Sequence, residues 1–383
     1  MKLPQLLPFL SLIFALLNPL LSSGQNGSFT FEGIERTYVV HLPSEYNDSI
    51  PLALIIAMHG GFGSAANLEN QSQLSAKSDE ANFIVVYPEG VKGGALNIRT
   101  WNAGWCCGFA SSSNVNDVEF INALLDTLIT DLAIDTNRIY ATGMSNGGFM
   151  SYRLACELPN RIAAIAPVAA SMSLTECNPT RPVPVISFHS YQDNNVPYDG
   201  GQGSGPSRHH NSPQDSVLTA WSNLNTCTRG KDTLTSNMDY TLLRWSNCHC
   251  NTEILQYITE DGGHSWPGGN KTQIGDPTST VINANDKMWE FFQQHSLQCS
   301  PVSINKHQQD VRSLFYPNPA KDRIFFTENG IDLAQIRLFD LSGKDVTHLV
   351  KLDISSLSLN ITKLEPGKYI LKLEQHSYTL IKQ

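Results

Sequence analysis

The sequence predicts an α/β protein built on a mostly parallel central sheet and followed by a small all-β domain. Three observations lead there. From Thr30 to about Trp289, short β-branched and apolar runs alternate with stretches of helical period. Several of these runs are apolar without interruption, as strands covered on both faces are. After residue 300 the pattern changes to short strands separated by turn dipeptides.

The chain opens with Met1-Lys2, then runs apolar from Leu6 through Leu21, broken by Pro8, Asn18 and Pro19, and reaches Ser22-Ser23-Gly24. A basic start, an apolar middle and a small-residue exit describe a secretory signal peptide over residues 1–24. The two prolines argue against an uninterrupted membrane span of about 20 residues. No later run is apolar for long enough to span a bilayer, so the expectation is an exported protein with no stable membrane insertion. Residues 52–58 are continuously apolar and end in His59-Gly60-Gly61; residues 83–87 end in Pro88-Glu89-Gly90. Both read as buried parallel strands, with helix-like composition over 66–80 between them. Val118, Ile121, Leu124, Leu125, Leu128 and Leu132 keep a helical period. Residues 138–142 read as a strand, followed by a Gly-rich corner and a helix through Leu158. Residues 162–170, 183–188 and 254–258 are further strand-like runs.

In the last 70 residues, strand-like segments at 324–326, 336–339, 357–361 and 369–373 alternate with Asn329-Gly330, Ser342-Gly343 and Pro366-Gly367. That spacing suggests a small β-sandwich. The polar, aperiodic residues 300–312 read as a linker, which leaves a larger domain over 25–299 and a smaller one over 313–383.

Charged residues make up 16% of the 383, below the typical level of about 25%, while 41% are hydrophobic, enough for a sizeable core. Net charge is −9; residues 311–383 carry 10 Lys/Arg against 8 Asp/Glu, so the acidity belongs to the larger domain. Nothing resembles a basic footprint for nucleic acid. Eight cysteines (Cys106, Cys107, Cys156, Cys177, Cys227, Cys248, Cys250 and Cys299) all precede residue 300. In an exported chain they read as disulfides stapling the larger domain, with the pairing open. A bond between the neighbours Cys106 and Cys107 is disfavoured on strain. Zinc is disfavoured because Cys248-His249-Cys250 is too tight for a finger pair and has no second pair to match it.

The chemistry gathers at Gly143-Met144-Ser145-Asn146-Gly147, between a strand and a helix. This is the Gly-x-Ser-x-Gly nucleophile elbow in its required setting. A serine hydroxyl needs a base, and the base needs orienting. Asp193, just past the strand at 183–188, is the candidate orienting acid; His264, between glycines after the run 254–258, is the candidate base. Their chain order, Ser then Asp then His, is that of α/β-hydrolases. His59-Gly60-Gly61 directly after a strand suits an oxyanion loop, with the backbone N–H groups of Gly61 and Asn146 as the donors. A phosphate cradle is disfavoured because no Gly-Lys-Ser/Thr follows.

Six ordered blocks carry a family resemblance: His59-Gly60-Gly61, residues 100–108 (Thr-Trp-Asn-Ala-Gly-Trp-Cys-Cys-Gly), residues 114–118, residues 143–148, Asp193 with Val196-Pro197-Tyr198, and residues 263–268. They resemble the secreted polyhydroxybutyrate depolymerase/feruloyl esterase family, which overlaps carbohydrate esterase family 1. The resemblance covers about residues 28–297. It implies an α/β-hydrolase fold, carboxylic-ester hydrolysis with no cofactor or metal, and a Ser145–Asp193–His264 triad. One departure is His189-Ser190-Tyr191, where the family more often has His-Gly. Trp101, Trp105 and Trp266 are candidates to line an acyl or sugar subsite, with burial in the core as the other reading for each. The substrate expectation is a feruloyl or acetyl ester of plant polysaccharide, with polyhydroxyalkanoate as the alternative, acted on by a monomer.

The tail, through residues 315–319, 338–343, 364–369 and 380–382, resembles the C-terminal sorting domain of type IX secretion. That implies the secretion machinery as a partner and an extracellular or cell-surface location. A carbohydrate-binding sandwich is disfavoured by the scarcity of exposed-type aromatics. A non-catalytic glycan-binding protein on the same fold would carry a broken triad, and none of the three positions is broken. A peptidase would carry a propeller or lid domain that this chain lacks.

Overall fold

The computed structural model describes residues 24–271, 275–298, 315–326, 335–340, 344–373 and 376–383. The expected signal peptide (residues 1–23 of it), the linker, Cys299 and the turns Asn329-Gly330 and Ser342-Gly343 lie outside the described residues. The rest divides into two compact units, one up to Val302 and one from Ser303.

The larger unit holds a ten-stranded sheet. Its strands are β1 (Gln25–Phe31), β2 (Ile34–His41), β3 (Leu52–Met58), β4 (Ile84–Pro88), β5 (Ile134–Met144), β6 (Ala164–Val168), β7 (Val185–Ser190), β8 (Arg229–Ser236), β9 (Tyr240–Ser246) and β10 (Ile254–Thr259). Their order is β1-β2-β4-β3-β5-β6-β7-β10-β9-β8. The six central strands, β4 to β10 in that order, are parallel; the two at each flank run antiparallel. The fold is the α/β fold that the sequence predicts.

The uninterrupted apolar runs have a direct cause. Leu54 and Ile56 of β3 pack into one core with Val118 and Leu124 of α3 (Asp117–Asp131), Phe149 of α4 (Asn146–Glu157) and Trp221 of α5 (Gln214–Leu224). Ile55 and Ala57 pack into a second core on the opposite face, with Leu68, Leu74 and Phe291. Both faces are dry, so both parities of the strand are apolar. The helical composition over 66–80 resolves into two helices, α1 (Ala65–Ser72) and α2 (Leu74–Ala81). Gln73 at φ 58° ends the first, its N–H capping the Glu69 carbonyl. The flanking strands β1, β2, β8 and β9 had no sequence signal. β8 is almost wholly solvent-facing and polar, so no apolar run marked it.

In the smaller unit, β11 (Phe315–Tyr316), β12 (Arg323–Phe326), β15 (Ser358–Asn360) and β14 (Lys351–Asp353) form one antiparallel sheet. β13 (Arg337–Asp340), β16 (Gly367–Leu373) and β17 (His376–Lys382) form another. Ile324, Leu338, Leu359, Leu371 and Leu380 belong to its core.

One expectation is corrected. Cys106 and Cys107 are bonded to each other, as are Cys156 with Cys177 and Cys227 with Cys248. Cys250 is disulfide-bonded as well, and no cysteine among the described residues is free. With every other described sulfur engaged, the neighbours have only one another.

A buried ion pair ties the sheet's edge to the helices. Arg36 of β2 donates to Asp117 Oδ1 at 2.7 Å, with both side chains almost fully buried. Asp117 Oδ2 accepts the Asn102 backbone N–H at 2.8 Å, and the Arg36 guanidinium lies 3.6 Å from the Phe120 ring centre. Burial pushes the Asp117 carboxyl up and the Arg36 guanidinium down; each is held charged by the other. Asp117→Ala leaves Arg36 buried without its counter-ion and is expected to cost about 3–5 kcal/mol of unfolding free energy, measurable by urea titration.

Candidate active site

Ser145 stands at the carboxyl end of β5, in the turn that starts α4. Its backbone sits at φ 52°, ψ −123°, a conformation that costs a serine about 1–3 kcal/mol. The neighbouring glycines make it possible. A Cβ on Gly147 would overlap the Met58 carbonyl, and one on Gly143 would meet both Gly147 and Met58. The Ser145 N–H is held by the Val168 carbonyl of β6, and the Ser145 carbonyl accepts the Phe149 N–H, each at 2.9 Å.

Asp193 follows β7 and His264 follows β10, so all three residues reach the same edge of the parallel sheet. His264 Nδ1 lies 2.9 Å from Asp193 Oδ2. The other oxygen, Oδ1, accepts the N–H groups of Asn195 and Val196, each at 2.9 Å. Burial works against a charge on Asp193. The His264 charge and hydrogen bond, His189 and the Val196 amide outweigh it and hold the carboxyl below its ordinary range. The structure brings Asp193 and His264 into direct contact. Among the described residues no hydrogen bond joins Ser145 to His264; such bonds are often long without substrate and tighten on binding.

The turn 59–63 abuts Ser145. A Cβ at Gly60 would stand 3.4 Å from Ser145 Cβ. The Gly63 N–H closes the turn on the Gly60 carbonyl at 3.0 Å, and no protein acceptor among the described residues takes the Gly61 N–H. The Asn146 N–H is among the first amides of α4, which lack intrahelical acceptors. His59 braces this turn. Its Nε2 accepts the Gly90 N–H at 3.0 Å, so the ring proton is on Nδ1, which donates to the Gly60 carbonyl at 2.7 Å.

The three tryptophans part ways. Trp101 is fully buried: its Nε1–H donates to the His59 carbonyl, and its backbone exchanges two hydrogen bonds with the Asn146 side chain. Trp266 is equally buried, donating to Asn285 Oδ1 at 2.9 Å. Neither presents surface to a substrate, which corrects the expectation that they line a subsite. Trp105 is 52% exposed, with His209 packed against its ring. Cys106, Cys107 and His209 are grouped closely enough for a metal, but both sulfurs are committed to their disulfide.

Three supporting residues were not foreseen. Asp276 accepts the His264 backbone N–H at 2.7 Å from an irregular loop that carries no sequence signal. Ser190, where the resembling family more often has Gly, donates to the Asp261 carbonyl and accepts the Gln192 N–H, stapling the acid loop to the histidine loop. His189 packs beside Asp193.

Residues 37–178 match the family described as esterase PHB depolymerase, a span that holds the 59–63 turn and the Ser145 corner and stops before Asp193. Over these residues the chain is similar to that esterase family. Residues 314–383 match the secretion system C-terminal sorting domain. Among curated relatives, the chain is 33% identical over 171 residues to feruloyl esterase B of Piromyces equi, covering 43% of this chain and 31% of that protein. It is 30% identical over 235 residues to the putative esterase NocK of Nocardia uniformis subsp. tsuyamanensis, covering 57% and 66%. The chain thus spans between about a third and two thirds of these relatives. The structure of acetyl xylan esterase from Aspergillus awamori aligns with a TM-score of 0.50 at 15% identity, over 70% of this chain and 99% of that one. That likeness supports the α/β-hydrolase fold.

Burial pulls the His59 pKa down to about 4 from 6.5. The folded state therefore binds fewer protons than the unfolded one between those values. His59's contribution is present above pH 6.5 and lost as pH falls toward 4, worth about 3 kcal/mol in full. Urea unfolding at stepped pH should show this loss, and the His59→Gln variant, with no ring to protonate, should show a shallower one.

Proposed function

We propose that the protein is a secreted serine esterase acting through Ser145, His264 and Asp193. The observation that supports it most is the Asp193–His264 hydrogen bond at the sheet edge where Ser145 is held in a strained corner. In this reading Ser145 Oγ attacks the ester carbonyl as His264 Nε2 takes its proton. Asp193 holds the imidazole by Nδ1–H and stabilises the imidazolium. The Gly61 and Asn146 N–H groups receive the developing oxyanion. Collapse of the tetrahedral intermediate expels the alcohol, protonated by His264, and leaves an acyl-serine. Water, deprotonated by the same histidine, then releases the acid.

The substrate in this reading is a feruloyl or acetyl ester of plant polysaccharide, in line with the names of the relatives, and exposed Trp105 is the remaining tryptophan for its acyl or sugar part. The description of the matching family favours one second reading, a polyhydroxyalkanoate ester. A panel of methyl ferulate, acetylated xylan and hydroxybutyrate oligomers separates them by kcat/KM. The tail acts as the address for type IX export, and the catalytic unit works as a monomer.

Ser145→Ala should lower kcat on p-nitrophenyl acetate by about 10⁴-fold or more in a protein with an unchanged circular dichroism spectrum; a folded variant that keeps activity overturns the mechanism. Truncation after residue 300 should leave kcat/KM on small soluble esters essentially unchanged, because the triad and oxyanion residues all precede Pro267. In a host with type IX machinery the truncated enzyme should stay in the periplasm. A truncated protein that reaches the medium but no longer degrades insoluble polysaccharide would make the tail a binding module.

A further inference from the structure

His189 is the penultimate residue of β7, and its side chain is wholly buried. None of the steps above uses it. Its Nε2 lies 2.8 Å from the Val196 carbonyl oxygen, within hydrogen-bond reach, and 3.8 Å from Asp193 Oδ2, beyond it. Its Nδ1 is buried and has no hydrogen-bond partner among the described residues. A carbonyl oxygen can only accept, so the ring proton sits on Nε2 and is given to Val196. Val196 gives its own N–H to Asp193 Oδ1, beside the Asn195 N–H. Residue 196 is thereby held through its carbonyl by His189 while its N–H aims the carboxylate whose other oxygen meets His264.

The titratable groups that face the ring are Asp193, Tyr198 (ring centres 6.1 Å apart) and, from the loop after β10, His264. Burial holds the imidazole below its ordinary pKa, against the pull of Asp193 and the Val196 carbonyl. A protonated ring would place a second cation within 4 Å of Asp193 and draw the carboxylate's charge away from His264.

We infer that His189 is a positioning residue for Asp193: its Nε2–H locks the 193–196 turn that aims the carboxylate at His264, without itself bonding to that carboxylate. The inference rests on the serine-esterase reading for its effect on rate, while its effect on the turn stands apart from any reaction.

The test compares His189→Phe, which keeps a ring and removes the donor, with His189→Gln, which keeps an N–H at similar reach. His189→Phe should lower kcat on p-nitrophenyl acetate about 10- to 100-fold while KM changes less than about twofold. The rise of its kcat/KM with pH should move to lower pH by roughly half a unit or more, because a poorly aimed carboxylate stabilises the imidazolium less. Deuterium exchange at the Val196 amide should accelerate by about tenfold or more. His189→Gln should recover kcat to within roughly threefold of the parent and restore slow exchange. A folded His189→Phe protein with parental kcat, pH profile and exchange overturns the inference, as does a His189→Gln protein damaged as badly as His189→Phe. If the parent protein cleaves none of the esters, the esterase reading fails. The Val196 exchange then still decides whether His189 holds the turn.

Discussion

Backbone against backbone at the end of β3 is the constraint on which the site depends. The Met58 carbonyl and the first turn of α4 approach so closely that no side chain fits between them, which is why Gly143 and Gly147 flank Ser145. This approach turns the chain within one residue from strand to helix. Ser145 is left at a positive φ with its side chain at the sheet edge. The same approach brings the turn after β3 against the serine, so the candidate oxyanion amides and the candidate nucleophile arise from one packing event. The strain is sustained because β5 is paired on both sides by parallel strands and the corner's own N–H and carbonyl are both engaged.

Around that corner, buried polar groups do the holding. Asn146 grips the Trp101 backbone, Trp101 grips the His59 carbonyl, and His59 bridges Gly60 and Gly90. Next to it, Arg36, Asp117 and the Asn102 backbone join β2 to α3, and Arg153 of α4 donates to the Asn102 carbonyl. In an apolar interior an unpaired polar group costs free energy, so these groups are placed where each finds a partner. Two of the blocks that carry the family resemblance, residues 100–108 and 114–118, supply this scaffold. They locate the site by building its walls.

The covalent links work in the same unit. Cys156–Cys177 ties α4, the helix of the nucleophile corner, to the loop beyond β6, and Cys227–Cys248 ties the end of α5 to the turn after β9. Each closes a separation of 21 residues, which constrains the unfolded chain by about 3 kcal/mol in the loop-entropy account. The smaller unit has no cysteine at all and relies on its own two-sheet apolar core. Its strands 324–326 and 369–373 were marked by alternation and turns, whereas the two-residue strand Phe315–Tyr316 was too short for any period to register.

By itself the sequence determined the central parallel sheet, the candidates Ser145, Asp193 and His264 in their chain order, and the change of pattern into the tail. Each of these is written locally: an apolar run buried on both faces, a glycine-flanked corner, a turn dipeptide. Tertiary structure decided what local pattern cannot encode. The polar edge strand β8 exists because β9 offers it a partner, since its own residues have almost no buried face to announce it. Trp101 and Trp266 are walls and Trp105 a surface because burial depends on what folds over a ring, which its neighbours in sequence do not reveal. Cys106 pairs with Cys107 in the fold, a partnership that sequence spacing disfavoured. Asp276 came to the site through an irregular loop beyond His264, a contact that no local pattern encodes.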